Sequence, residues 1–148
     1  MWNLLIKTYA FQKRKYPVSK DFTQRYMRAA VENQHGKYFE ARDKEGNVHS
    51  CAFYLFDSEV CYYLTGARNP EFSSSQSQEL LLWEGIQFAS QHSKIFDFEG
   101  SMVEGIENFF RQFGTKSTPY YILSKQSMLN DIKDVIKPRI KKLIGYKI

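Results

Sequence analysis

Residues 37–65, KYFEARDKEGNVHSCAFYLFDSEVCYYLT, decide the fold. The hydrophobic period here is two, where the flanking segments have 3.6. Three strands are predicted, over 37–42, 48–56 and 60–65. The first turn, Asp43–Asn47, puts Gly46 where a type I turn with a following bulge needs a left-handed residue. The second turn falls at Asp57-Ser58. Two short turns joining three strands specify an antiparallel meander.

Upstream the spacing is helical. Leu4, Leu5, Tyr9 and Phe11 recur over 3–13, and Pro17 ends that helix. Ser19 reads as an N-cap with Asp21 in the first turn. Phe22, Tyr26, Met27, Ala30 and Val31 form one apolar stripe, which predicts a helix over 20–33. Asn33-Gln34-His35-Gly36 closes it, with Gly36 the expected positive-φ residue. Downstream, a loop from Gly66 to Ser77 leads to a helix carrying Leu80, Leu81, Trp83, Ile86, Phe88 and Ala89. A short strand follows over Ile95–Gly100, reached through that helix and hence parallel. A helix over 102–113 stops at Gly114, and a last strand is predicted over Tyr120–Ser124. From Ser127, Met128, Ile132, Ile136, Ile140 and Leu143 make one helical stripe that Pro138 kinks. The fold class is α/β with a mixed sheet. One domain is expected over 1–125 and a basic amphipathic helical segment over 126–148.

The 148 residues are 43% hydrophobic and 25% charged, enough apolar material for a core, which excludes a disordered chain. No apolar run nears the ~18 residues of a spanning helix. Met1–Lys7 is too short in apolar residues for a signal peptide, so the expected location is the cytoplasm. The net charge of +5 is unevenly spread: +6 over residues 1–30, −6 over 31–100 and +5 over 101–148. Basic ends are read first as the solvated sides of amphipathic helices, with a dedicated nucleic-acid surface as the alternative. Neither register of the 48–65 hairpin brings the Cys51 and Cys61 thiols together, so reduced cysteines are expected. His35, His49 and His92 lack ligand spacing, and no metal site is expected.

The order helix, helix, three-strand meander, helix, strand, helix, strand resembles the GNAT acyltransferase fold. The local match is Phe96-Asp97-Phe98-Glu99-Gly100-Ser101 followed by Gly105-Ile106-Glu107-Asn108-Phe109-Phe110-Arg111-Gln112-Phe113-Gly114, with Leu80–Ala89 as the preceding helix. This is similar to the Fem-type peptidoglycan-bridge aminoacyltransferases and their GNAT-like relatives. Such chains usually hold two GNAT-like domains, and this one resembles the second. The resemblance covers roughly residues 2–125.

What the resemblance implies is acyl transfer to an amine, by direct attack between splayed strands 60–65 and 95–99. An unpaired backbone N–H at Thr65-Gly66 would hold the acyl carbonyl and its oxyanion. In a strand, Asp97 and Glu99 share one face. Buried together, they would raise one another's pKa and supply the general base, with Asp97 alternatively a structural acceptor. Arg111 takes the basic position that neutralises negative charge in the bridge-forming enzymes. Tyr63, Thr65, Phe110 and Tyr121 are the expected substrate-binding residues, and Gly66, Ser74 and Ser75 the expected cofactor-binding ones.

Acetyl-CoA-using members open the third helix with a glycine-rich loop whose N–H groups hold pyrophosphate. This chain has Gly66-Ala67-Arg68-Asn69-Pro70-Glu71-Phe72-Ser73-Ser74-Ser75 instead, where the serines either cap the helix or hold an anion. No tightly bound cofactor is expected. The acyl donor is a coenzyme A thioester or an aminoacyl-tRNA, and the acceptor a small-molecule or cell-wall-precursor amine. Further expected partners are a homodimer mate or a missing N-terminal GNAT-like domain. The basic segment 126–148 is expected to dock on protein or to make peripheral contact with the inner membrane face. The alternative to an enzyme is a non-catalytic, degenerate GNAT-like half that walls a groove.

Overall fold

The alternation over 37–65 builds a sheet with two faces that both need cover, and helices supply it on each side. The computed structural model describes residues 1–101, 103–121 and 123. Its elements are α1 (Trp2–Phe11), α2 (Lys20–Glu32), β1 (Gly36–Arg42), β2 (Val48–Phe56), β3 (Val60–Arg68), a 3-10 turn at Pro70–Phe72, α3 (Ser77–His92), β4 (Ile95–Asp97) and α4 (Glu104–Arg111). The strands lie in the order β1-β2-β3-β4, the first three antiparallel and β4 parallel to β3. The meander and the parallel strand after a helical crossover are as the sequence predicts.

Central strand β2 feeds both layers. Ala52 and Tyr54 pack with Cys61, Leu81 and Ala89 under α3. Cys51 points the other way and packs with Leu5 of α1 and Ala67, while Phe53 meets Tyr26 of α2 edge-on at 6.3 Å. Cys51 and Cys61 are therefore free, buried and on opposite faces. Burial pushes both thiols up to about 11, which makes them inert. Helix α3 lies on the Tyr54 ring at Gly85, where a Cβ would stand 2.5 Å from a ring carbon. The Tyr54 hydroxyl donates to the Leu81 carbonyl at 2.8 Å, which satisfies a buried phenol.

Several details correct the sequence reading. Gln34, not Gly36, takes the left-handed conformation that ends α2, with φ 61°. Gly36 is required for space, since a Cβ there would stand 2.9 Å from Ala30 Cβ and from the Phe53 ring. The β2–β3 turn is longer than the expected Asp57-Ser58 turn. Asp57 Oδ1 accepts the N–H groups of Glu59 and Val60 at 2.7 and 2.8 Å, so Phe56 pairs with Cys61. β3 extends to Arg68, through what reads as loop, and α3 begins at Ser77. β4 stops at Asp97. The expected strand over Tyr120–Ser124 is not formed at Tyr120, Tyr121 or Leu123, and the sheet among the described residues has four strands. A three-residue β4 offers only a short edge to pair with.

The chain divides into two compact units, Met1–Thr115 and Lys116–Ile148. The basic helical segment read over 126–148 lies outside the described residues. Among those described, no helix is long and apolar enough to cross a membrane.

Two predictions follow from this packing. Gly85→Ala drives a methyl into the Tyr54 ring, and overpacking of this kind costs about 1–3 kcal/mol, read as a lower denaturant midpoint. The second concerns Asp43 in the β1–β2 turn. Its carboxylate accepts the side-chain and backbone N–H groups of Asn47 at 2.9 and 2.8 Å and the Nε2–H of His49 at 3.1 Å. These bonds, Asn47's first, hold its pKa down at about 2. A depressed folded-state pKa stabilises above the ordinary aspartate value near ~4, and that stability is lost as pH falls toward 2. Wild type should therefore lose more stability than Asp43→Asn over that acid window. Parallel acid titrations of the two would rule the turn out as the cause.

Candidate active site

β3 and β4 pair only at Val60–Ile95, Cys61–Phe96 and Tyr62–Asp97. Past that point β3 runs on to Arg68 while the other strand turns aside. Asp97 Oδ1 accepts the backbone N–H of Glu99 at 2.7 Å, and Glu99 and Gly100 adopt φ of 61° and 64°. A left-handed glutamate costs of order 1–3 kcal/mol and is kept where the surrounding structure demands it. β4 ends at Asp97, short of the expected strand over 95–99, and this parting, or splay, leaves the β3 edge beyond Tyr62 with no β4 partner.

A bulge in the β2–β3 ladder falls in this stretch of β3. Tyr54 pairs with Tyr63 and Phe53 with Thr65, so Leu64 has no counterpart on β2. One inserted residue reverses the alternation beyond it. Cys61 and Tyr63 pack toward α3, whereas Ala67 packs toward α1. Thr65 shares Ala67's parity and falls on the α1 side, so the structure separates it from Tyr63 and Gly66.

Tyr63, Gly66 and Gln78 form a close trio at the splay. Gln78 Nε2, in the first turn of α3, donates to the Tyr63 hydroxyl at 2.8 Å. A Cβ at Gly66 would stand 1.8 Å from that hydroxyl and 2.7 Å from Gln78 Nε2. Burial raises the Tyr63 phenol above its ordinary range, so it keeps its proton and remains a donor at neutral pH. Gln78 was not identified from sequence. The available signal was Gly66 itself, because a glycine within a strand-like run marks a bulge or a close approach.

The start of α3 lies beside this trio. Its N-cap is Gln76, with φ 51° and no side-chain hydrogen bond to the first turn. The serines therefore do not cap it: Ser75 donates to Ser77 Oγ at 2.9 Å, and Ser74 and Ser75 are exposed ahead of the helix. Among the described residues, the first-turn N–H groups of α3 have no side-chain acceptor.

The remaining expected residues divide. Phe110 is buried, 4.9 Å from Phe98 and 6.1 Å from Tyr63 between ring centroids. Phe96–Phe98 and Phe98–Phe113 contacts at 4.8 and 5.8 Å complete a cluster that docks α4. Arg111 is exposed and paired with Glu107 one turn back, Nε to Oε1 at 2.5 Å. Tyr121 lies in the second unit, outside any helix or strand. Asp97 and Glu99 are both exposed. The expectation of two buried carboxylates on one strand face does not hold, because the strand ends at Asp97 and the left-handed turn takes Glu99 off it. Among the described residues, no three His, Cys, Asp or Glu converge on a metal site.

A profile described as the acetyltransferase (GNAT) domain matches residues 1–111. The chain belongs to that family. It is an enzyme domain of acyl transfer, and its mixed sheet flanked by helices is the fold it shares with solved GNAT neighbours. No curated protein matches the chain in sequence. Among solved structures, GNAT relatives share the fold at low identity. One is the aminoglycoside antibiotic 6'-N-acetyltransferase AAC(6')-Ih of Acinetobacter baumannii, with a TM-score of 0.59 and 15% identity over 86% of this chain and 95% of that one. The glucosamine-6-phosphate N-acetyltransferase of Arabidopsis thaliana gives 0.59 and 8% over 85% and 92%. AAC(6')-Iy, solved with the bisubstrate analog CoA-S-monomethyl-acetylneamine, gives 0.60 and 14% over 75% and 82%.

Gly66→Ala should force the Tyr63 ring out of place and lower the melting temperature. In a Tyr63→Phe background the loss should shrink, since the nearest clashing atom is gone. A double-mutant cycle reads that coupling, and strictly additive losses would mean Gly66 is constrained by something else.

Proposed function

We propose that this GNAT domain transfers an acyl group from coenzyme A to an amine at the β3–β4 splay. The observation that carries the reading is the bulged, unpaired β3 edge lying directly beside the uncapped start of α3. Helix N–H groups without a side-chain acceptor suit the pyrophosphate of a coenzyme A thioester. The glycines of the usual loop are missing, but Gln76 adopts the left-handed backbone that glycine would favour.

In this reading the thioester carbonyl points at the freed β3 edge around Leu64–Gly66, whose backbone N–H groups stabilise the oxyanion. The amine nitrogen attacks the carbonyl carbon, a C–N bond forms, and the C–S bond breaks. Glu99, exposed at the mouth of the splay, takes the proton the amine sheds, and the thiolate leaves as coenzyme A. Tyr63 keeps a phenolic proton within the site and offers it to the oxyanion or the thiolate. Asp97 shapes the turn that places Glu99. Arg111 holds an anionic acceptor once Glu107 releases it.

A second reading keeps the cleft and replaces the thioester with an aminoacyl-tRNA, acting on a cell-wall-precursor amine in the Fem-type manner. The lack of glycine over 67–75 and the +6 charge of residues 1–30 favour it. Titration with acetyl-CoA and, separately, with a charged tRNA distinguishes the two donors.

Glu99→Gln should lower transfer to a competent amine by about 10²–10⁴-fold, the usual weight of a general base, with donor affinity and melting temperature unchanged. Asp97→Ala should instead lower both stability and activity, because it removes the turn acceptor. Full activity in Glu99→Gln would remove Glu99 from the mechanism.

A further inference from the structure

Across the sheet from the Tyr63–Gln78 trio, the chain leaving α1 folds back on the helix it has just left. Lys13 takes φ 55°, and the N–H of Arg14 bonds the Tyr9 carbonyl at 2.9 Å. This reversal lays residues 14–20 against α1 and leaves an open cavity of about 360 Å³ between them. Three aromatic rings stand in its wall. Tyr16 meets Tyr9 edge-on at 5.0 Å and Trp2 edge-on at 5.6 Å. Three cations stand around them: Arg14, whose guanidinium lies 5.8 Å over the Tyr9 ring, Lys15 and Lys20. No acid lines the cavity. Asp21, the one acid in residues 1–30, is paired with Arg25 at 3.0 Å. Among the described residues, Arg14, Lys15 and Lys20 form no ion pair.

We propose that this corner binds a nucleoside 5'-phosphate, either as a free nucleotide or as a unit of a single-stranded RNA. The chemistry follows from the lining. A ligand held here must offer a flat π-face to Trp2, Tyr9 and Tyr16 and an anion to Arg14, Lys15 and Lys20. Such rings stack on any base, and such cations take any phosphate. The volume lies within the range of small-molecule sites. A plain anion would leave the aromatic wall unused, and a plain aromatic would leave the cations unused. The cavity belongs to the α1 side of the sheet, so it is not where the proposed thioester's pyrophosphate would sit, and the inference does not depend on that reading.

The test uses the full chain carrying Trp83→Phe, which leaves Trp2 as the sole tryptophan reporter. Adenosine 5'-monophosphate, inorganic phosphate and a single-stranded RNA hexanucleotide are titrated separately. Saturable quenching of Trp2 by the nucleotide or the hexanucleotide is expected, and the one that binds identifies the source. Tyr16→Leu should weaken binding by at least about fivefold, the lower end for one stacked base. Lys15→Ala, at an exposed position that leaves the fold intact, should lower the salt dependence of hexanucleotide binding by about one phosphate contact. Equal affinity for inorganic phosphate and the nucleotide would overturn the proposal, as would the absence of binding by both nucleotide and hexanucleotide.

Discussion

Leu64 is the residue on which this architecture turns. A strand with an unbroken period of two would send one parity of side chains to α3 along its whole length and the other parity to α1. The extra residue opposite the Phe53–Tyr54 step reverses that assignment half-way. The first half of β3 gives Cys61 and Tyr63 to the α3 core, and the second half gives Ala67 to the α1 core. It also brings Gly66, rather than a bulky side chain, under the Tyr63 hydroxyl. Thr8 fixes the far end: its hydroxyl donates to the Arg68 carbonyl at 2.9 Å and accepts the Arg68 N–H at 3.1 Å, so α1 is tied to the strand just past the bulge.

The motif Phe96–Gly114 has two components that separate in the structure. Its phenylalanines are packing residues: Phe96, Phe98, Phe110 and Phe113 form one continuous cluster that includes Tyr54 and Tyr63. Its polar residues Asp97, Glu99 and Arg111 are exposed around that cluster. A likeness carried mostly by phenylalanines therefore reports how α4 docks, which is shared by proteins of differing chemistry.

The fold was legible where the pattern was long and repeated. The 20–33 stripe, the three strands and the 80–92 helix each gave several residues at one period, and each formed. The site was less legible because it is made of interruptions. A bulge changes parity by one residue, which no count of alternation over 60–65 can reveal when Tyr62, Tyr63 and Leu64 are all apolar. Glu99 reads as strand because its neighbours alternate, yet its hydrogen bond to Asp97 and its left-handed φ are decided by two residues alone. Gln78 has no local signature at all. It matters because α3 delivers its first turn to β3, a contact set by tertiary packing. The Ser73–Ser75 run looked like a cap for the physical reason that serine caps helices, but Gln76 in a left-handed conformation starts the helix beyond them.

An opening between two strands exposes backbone groups and forgoes ladder bonds, so something must keep β4 from zipping further along β3. Three ladder pairs alone would leave β4 weakly attached, and a longer ladder would close the site. The aromatic cluster resolves this conflict. Phe96 and Phe98 bind β4 and its exit to Tyr54, Phe110 and Phe113 by side-chain packing, which needs no further backbone pairing. Each aromatic pair adds roughly 0.5–1.5 kcal/mol beyond its area burial, comparable with the net worth of a ladder hydrogen bond. The attachment of β4 is thereby moved from the strand edge to its face. The edge of β3 from Tyr63 onward stays unpaired with β4, and the chain leaves β4 through the left-handed pair Glu99-Gly100.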